Sequence, residues 1–403
     1  MSAENPHLTI DSQDDRYSRL RLISWWDQEL LRSAKIMVVG VGALGNEIIK
    51  NLALLGVGTV ILVDSDYIEL SNLSRSPLFR KEDVGKPKVE AAALAGNALN
   101  PDCLFVPLLA DVTQEVGAGL FRRVDIVIAG LDNREARLAV NRACWRVKTP
   151  WVDGAIDDIR GVVRSFVPGD GPCYECTLGE QDNKLIAVRE SCGFLANQAY
   201  RRDRTPTTPT MASIIAGIQV QEALKILHTL RARRDQVGTP TPALIGKGFF
   251  FDSSSYDCFT IEYVRRIDCV SHESYDNLVE TELNRESSTP EDVFRMAAKY
   301  VGTNAKIPLP CELVKSVNCN ACGYSGQVYR LVRSVSVEEV MCPRCDKQCV
   351  PEVDVECVTE APYTKRTLKE LGFAALEIVP VISERGNVQI EISGDAKEIF
   401  QDV

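Results

Sequence analysis

The stretch KIMVVGVGALGNEIIKNLALLG, residues 35–56, followed by TVILVD at residues 59–64, decides the fold. Lys35–Val39 is a short, continuously apolar run, the pattern of a strand buried on both faces. Gly40-x-Gly42-x-x-Gly45 breaks it, and an apolar helix is expected from about Ala43 to Leu55. Thr59–Val63 reads as the second strand and ends at Asp64. A strand, a tight glycine turn and a helix N-terminus make an anion site, because backbone N–H groups and the helix dipole face the same point.

The alternation continues outward. Lys86 to about Leu99 is Ala-rich and helical, stopped by Asn100-Pro101. Leu104–Leu108 and Asp125–Ala129 read as strands, and a helix is expected from about Arg134 to Val147. Trp151–Val152 and Val162–Val167 continue the sheet. The class expected is α/β, a doubly wound, mostly parallel sheet. Upstream, residues 1–34 read as a polar tail and a helix through Trp25-Trp26. Downstream, Thr177–Pro209 is a long polar crossover, and Thr210–Leu227 is a helix that Thr208 or Thr210 can cap. Phe249–Phe251 and Phe259–Val264 are strand-like. The expected division is a tail to residue 34, a nucleotide domain over 35–272 and a linker with a helix over 273–306. A cysteine-rich unit over 307–358 and a small β-rich segment over 359–403, with a short helix near Leu368–Leu371, complete it.

Composition excludes several classes. The chain has 403 residues, 25% of them charged, and a net charge of −10, which argues against a general nucleic-acid binder. No apolar run reaches the roughly 18 residues of a membrane helix, and the N-terminus MSAENPHLTIDSQDD lacks a signal-peptide core. Of 14 cysteines, six fall in Cys-x-x-Cys pairs. A reducing cytoplasm, with zinc and thiol chemistry, suits that pattern better than disulfides.

The glycine loop by itself also suits a dinucleotide site, with Asp64 where a ribose hydroxyl is held. The next residues favour a triphosphate: Asp64-x-Asp66, Asn72, Arg75 and Lys88 follow the strand edge, and Asp132 lies beyond DIVIAG. Two cations and an amide neutralise phosphate charge, and a carboxylate opposite them can hold magnesium.

These motifs carry a resemblance. In order, Arg16-Tyr17-Ser18-Arg19, the glycine loop, Asp64-x-Asp66, Ser71-Asn72-Leu73-x-Arg75, Gly85-x-Pro87-Lys88 and Asp132-Asn133 resemble the ThiF/MoeB adenylyltransferases and ubiquitin-activating enzymes over about residues 14–275. The resemblance implies ATP-dependent adenylation of the C-terminal carboxylate of a small β-grasp protein. Gly40, Gly42, Ala43, Gly45 and Asp66 would line the ATP site and Asp64 would bind the ribose. Asn72, Arg75 and Lys88 would grip phosphates, and Asp132 would hold magnesium. Arg19 would reach the partner protomer's site in a homodimer. It also implies a thioester nucleophile in the crossover, where Cys192 stands in RESCG; transfer to a conjugating enzyme would follow. The alternative is a sulfur-carrier adenylyltransferase for thiamine, molybdopterin or cysteine synthesis. An NAD oxidoreductase or an inactive nucleotide scaffold fits the filled positions less well.

Two zinc sites are expected. Cys173-x-x-Cys176 is half a site, and the family places a second pair after the domain's last strands, where this chain has Cys269-Val-Ser-His272. Cys319-x-x-Cys322 with Cys342-x-x-Cys345 has zinc-ribbon spacing. Four thiolates would close the ribbon, so protein docking suits it better than catalysis. Cys311, Cys349 and Cys357 read as packed thiols or spare ligands.

Overall fold

A computed structural model describes residues 15–179, 206–236 and 241–400. The chain opens with helix α1 (Gln28–Ser33) and alternates β1 (Lys35–Val39), α2 (Ala43–Leu55), β2 (Thr59–Asp64), α3 (Lys88–Leu99) and β3 (Leu104–Leu109). It continues through α4 (Ala118–Arg122), β4 (Ile126–Ala129), α5 (Arg134–Val147), β5 (Trp151–Asp157) and β6 (Arg160–Phe166). Helix α6 (Pro209–Asp235), β7 (Lys247–Asp252) and β8 (Asp257–Glu262) close an eight-stranded sheet of order β3-β2-β1-β4-β5-β6-β7-β8. β3 to β5 pair in parallel, and β5 to β8 pair antiparallel.

The continuous apolar strands explain the two-sided winding. Ile36, Val38, Val60, Leu62, Ile126 and Ile128 face one core, shared with α2, α3 and α6. Met37, Val39, Ile61, Val63, Val127 and Ala129 face the other, shared with α4 and α5. Successive side chains point to opposite faces, so a strand covered on both sides needs an apolar residue at every position.

A second sheet follows. β9 (Leu278–Thr281), α7 (Pro290–Val301), β10 (Lys306–Asn318), β11 (Ser325–Leu331), β12 (Val350–Val358), β13 (Ile378–Ser383), β14 (Gly386–Ile392) and α8 (Ala396–Ile399) build it. Its order is β11-β10-β13-β14-β9, with β12 also pairing β10. The long β10 joins the cysteine-rich hairpins to the C-terminal strands: Lys306 pairs with Ile382, while Asn318 pairs with Ser325 and Val350.

Three local readings are corrected. Trp25-Trp26 lies in a turn before a helix, because Asp27 caps α1 by accepting from the Glu29 and Leu30 amides. The segment 273–306, expected as a linker with a helix, also holds a strand: β9 pairs in parallel with β14, Leu278 opposite Gln389. Four residues whose partner lies more than a hundred positions later leave no local signal. Leu368–Leu371 forms turns instead of a helix, since Gly372 at φ 86° reverses the chain and Phe373 N–H bonds back to Leu368 O at 2.9 Å.

The C-terminal sheet docks on the first body around one carboxylate. Glu391, fully buried, accepts from Arg122 Nε at 2.8 Å and from Arg123 Nη1. Gly117 and Gly119 donate to Ala375 O and Leu376 O, each at 2.9 Å. A Cβ at Gly117 would sit 2.4 Å from Leu376 O, so glycine permits the approach.

Candidate nucleotide cleft and metal centres

The parallel half of the sheet reverses its winding between β1 and β4, and open sheets bind ligands at that switch point, beyond the carboxyl ends of the strands. Gly40 leaves β1 at φ 89°, and a Cβ there would meet Gly130 O at 2.5 Å. A Cβ on Gly45 would meet Gly40 O at 2.0 Å. Gly42 faces open space and is the N-cap of α2, with no side chain capping the helix. The first amides of α2, from Ala43 onward, are thus presented to whatever fills the cleft. Asn46 braces the turn: its Nδ2 donates to Val41 O and Gly42 O at 2.9 and 3.0 Å, and its Oδ1 accepts from Leu78 N at 3.0 Å.

Asp64 ends β2 on the same edge. Its two oxygens accept from Val41 N at 2.6 Å and Asp66 N at 2.7 Å. Burial pushes its carboxyl above the ordinary value, against the pull of Lys88 and of these two amides. Each oxygen keeps lone-pair capacity for a hydroxyl donor. Lys88 is the first residue of α3, and its Nζ pairs with Asp66 Oδ2 at 2.9 Å. Asn72 and Arg75 sit in and just after a 3₁₀ turn at Leu70–Ser74. Asn72 Oδ1 accepts from Glu69 N at 3.0 Å, and Arg75 Nη1 donates to Ser71 O at 2.8 Å. Asp132 is exposed just beyond β4, held by Asn133 Nδ2 at 3.1 Å while Asn133 Oδ1 caps α5 through Ala136 N. Gly40, Asp64 and Asp132 therefore follow the carboxyl ends of β1, β2 and β4, and Lys88 joins them through Asp66. Arg19, by contrast, is exposed at the start of the surface turn Leu20–Leu22. Cys192 lies outside the described residues.

Sequence reasoning missed Asp153. Fully buried on β5, it accepts from Arg137 Nε at 2.8 Å and from Arg164 Nη2 and Nε at 2.6 and 3.0 Å. Burial alone would raise its pKa, but the two guanidiniums overcome that and hold it below the usual carboxylate range. Arg137 Nη2 also donates to Leu131 O and, at 3.3 Å, to Gly154 O. This triad fixes the backbone that carries Asp132. The one available signal was an aspartate inside an apolar strand, WVDGA. Gln219 of α6 is a second support, donating to Ala129 O at 2.8 Å from a fully buried position.

The first metal cluster assembles as expected. One ligand atom from each of Cys173, Cys176, Cys269 and His272 lies within 4.8 Å of the others. Cys173 Sγ is 3.7 Å from Cys176 Sγ and 3.5 Å from Cys269 Sγ, and Cys176 Sγ is 3.4 Å from His272 Nε2. Tetrahedral zinc with thiolate bonds of about 2.3 Å would separate sulfurs by about 3.7 Å, whereas a disulfide would hold them near 2 Å. Sharing hydrogen bonds among the three thiols pulls Cys176 below the ordinary thiol range and pushes Cys173 and Cys269 above it, so a bound cation is what would hold all three as thiolates. Asn141 Nδ2, buried with no hydrogen-bond partner, lies beside Cys173, where a thiolate would accept from it. His272 stacks on Trp145 at 4.3 Å, tying the site to α5.

In the second cluster, Cys319, Cys322, Cys342 and Cys345 converge within the same limit of 4.8 Å. Two matching knuckles present them. Gly323 N returns to Cys319 O, and Asp346 N to Cys342 O, each at 2.9 Å. Backbone amides, Ala321's first, lower the Cys319 thiol to about 6. Cys349 and Cys357 are buried and Cys311 half-buried, as packed thiols are.

The ThiF family profile matches residues 15–269, and the chain belongs to that family. It falls within the ThiF/MoeB/ubiquitin-activating-enzyme superfamily of adenylyltransferases. It is 33% identical over 266 residues to the SAMP-activating enzyme E1 of Haloferax volcanii, covering 65% of this chain and 90% of that one. It is 33% identical over 224 residues to the molybdopterin-synthase adenylyltransferase of Escherichia coli, covering 54% and 83%. It is 32% identical over 261 residues to ubiquitin-like modifier-activating enzyme 5 of Drosophila ananassae, covering 59% and 61%. E. coli MccB solved with ATP shares the fold, with a TM-score of 0.52 at 23% identity over 65% of this chain and 75% of that one. Among the described residues, no helix is long and apolar enough to cross a membrane.

Proposed function

We propose that this chain activates the C-terminal carboxylate of a small β-grasp protein, ubiquitin-like or sulfur-carrier, by adenylating it with ATP. The carboxylate oxygen bonds to the α-phosphorus, the bond from that phosphorus to the β-phosphate bridge breaks, and pyrophosphate leaves. What supports this reading is that Asp64 bonds the Val41 amide beside the uncapped start of α2, Lys88 pairs with Asp66 two residues on, and Asp132 follows the neighbouring strand β4, in a chain of this family. Asp64 would bind the ribose, and the α2 amides with Asn72, Arg75 and Lys88 would hold the phosphates. Asp132 would hold magnesium, which lowers the repulsion between phosphates when bound. A carboxylate is already a nucleophile at neutral pH, so the protein need only position it and neutralise the charge that develops. The Cys₃His and Cys₄ clusters both fit zinc held for structure, since four protein ligands leave no open position. β8, at the free edge of the first sheet and exposed throughout, offers Phe259 and Ile261 to a carrier that brings its own sheet.

Resemblance to ubiquitin-like activating enzymes favours a thioester on Cys192 and hand-over to a conjugating enzyme, within a homodimer whose Arg19 serves the partner's site. Relatives among molybdopterin and ThiS adenylyltransferases support the second reading, in which the adenylate is converted by a sulfur donor. The test uses a β-grasp carrier with a free C-terminal carboxylate, Mg·ATP and labelled pyrophosphate. Carrier-dependent exchange supports adenylation, and its absence overturns it. A thiol-sensitive adduct that disappears in Cys192→Ala, with exchange retained, selects the thioester route; exchange without an adduct selects the sulfur route.

A further inference from the structure

The segment that carries Arg19 is pinned at both ends by groups that no part of the adenylation reading uses. At one end Tyr17 is buried, its hydroxyl accepting from Asn100 Nδ2 at 2.7 Å. The ring lies so close to Gly56 that a Cβ there would sit 2.4 Å from it. At the other end, the imidazole of His228 on α6 meets Trp25 edge-on at 5.1 Å and Trp26 at 6.0 Å. His228 Nε2 accepts from Asp27 N at 3.1 Å, and Nδ1 lies 2.7 Å from Leu224 O. A carbonyl can only accept, so Nδ1 carries the proton and Nε2 offers its lone pair. The ring is neutral in this arrangement. Between the pins Arg19, Leu22 and Ile23 are exposed.

We infer that His228 is a positioning residue for Arg19: as a neutral acceptor it seats the Trp25–Asp27 corner, and with Tyr17 it holds residues 18–26 as a fixed arm. This rests on the reading of Arg19 given above. A proton on Nε2 would put two donors face to face and detach the Asp27 amide. The charged groups facing the ring are Asp27, which favours the imidazolium, and Arg231 of α6, which opposes it. Arg231 also approaches Asp27, at 3.9 Å. Burial, the largest influence, pulls the pKa of His228 below its ordinary value. The seated form thus refuses a proton that the released form accepts below about pH 6.5. Anchoring is complete above that pH and weakens as pH falls, by at most about tenfold per unit.

The test is hydrogen exchange on the full chain from pH 5 to 8, without nucleotide or carrier, with rates corrected for intrinsic chemistry. Protection of peptides spanning residues 18–27 should fall with pH below about 6.5, while β1 and α2 peptides keep theirs. His228→Gln, which cannot be protonated, should give protection independent of pH. Sequence supplies only two other histidines, His7 and His272. His272→Cys, which keeps a thiolate ligand set, should leave the wild-type profile unchanged. A pH-independent wild-type profile overturns the inference. So does a dependence that survives His228→Gln or vanishes in His272→Cys. The measurement is silent on adenylation, so its failure leaves the proposed activity standing, and absence of pyrophosphate exchange leaves this anchor standing.

Discussion

Asp153→Asn isolates the support of the Leu131–Asp132 loop from its chemistry. In the wild type one fully buried carboxylate serves two guanidiniums, with Arg137 also reaching Leu131 O. The amide keeps the shape but removes the charge, leaving Arg137 and Arg164 facing each other without their counter-ion. Removing one partner of a buried ion pair costs about 3–5 kcal/mol. For a body of this size about 2–4 °C accompanies each kcal/mol, so the melting midpoint should fall by about 6–20 °C. The pH dependence follows from the depressed carboxyl of Asp153. A group whose folded pKa lies below its ordinary 3.8 stabilises fully above that value and loses the contribution as pH falls through the folded value. The gap between wild type and Asp153→Asn should therefore be flat from about pH 8 to 5 and shrink below about pH 4. The assay is thermal melting across pH, paired with the KM for Mg·ATP, which should rise as the Leu131–Asp132 backbone loses its brace. A midpoint within about 2 °C of wild type, with KM unchanged, would refute the reasoning.

The remaining expectations are simpler. On the proposed reading, in which Lys88 faces developing phosphate charge, Lys88→Ala should lower carrier-dependent pyrophosphate exchange by about 10²–10³-fold. Its pair with Asp66 is lost as well, but that carboxylate is half-buried and keeps contact with solvent, so the melting midpoint should fall by only a few degrees. Metal analysis should find two zinc ions per chain, with Cys319→Ser and Cys269→Ser each removing one. A strong chelator should then lower the melting midpoint of wild type but spare an Asp64→Asn control no more than wild type. Glu391→Gln should loosen the C-terminal sheet by about 3 kcal/mol, read as faster hydrogen exchange over residues 373–400 with β1 and β2 unaffected.

Local sequence carried most of the nucleotide half. Continuous apolar runs must be strands covered on both sides, and Gly40 and Gly45 are needed where backbone meets backbone, while Gly42 leaves the start of α2 open. The placement of Asp64 at the end of β2 and of Lys88 at the start of α3 could be read because both element ends are themselves legible. The four ribbon cysteines were legible for a similar reason: Cys-x-x-Cys spacing closes a knuckle locally. What tertiary structure alone decided are pairings between distant segments. β9 is a strand only because β14 lies beside it; Asp153 is an anchor only because α5 and β6 bring guanidiniums to it. Glu391 and His228 likewise mean nothing until Arg122 and Asp27 arrive. Periodicity and turn chemistry act over a few residues, so a sequence shows them directly. Burial and charge pairing depend on which surfaces meet, and only the folded chain sets that.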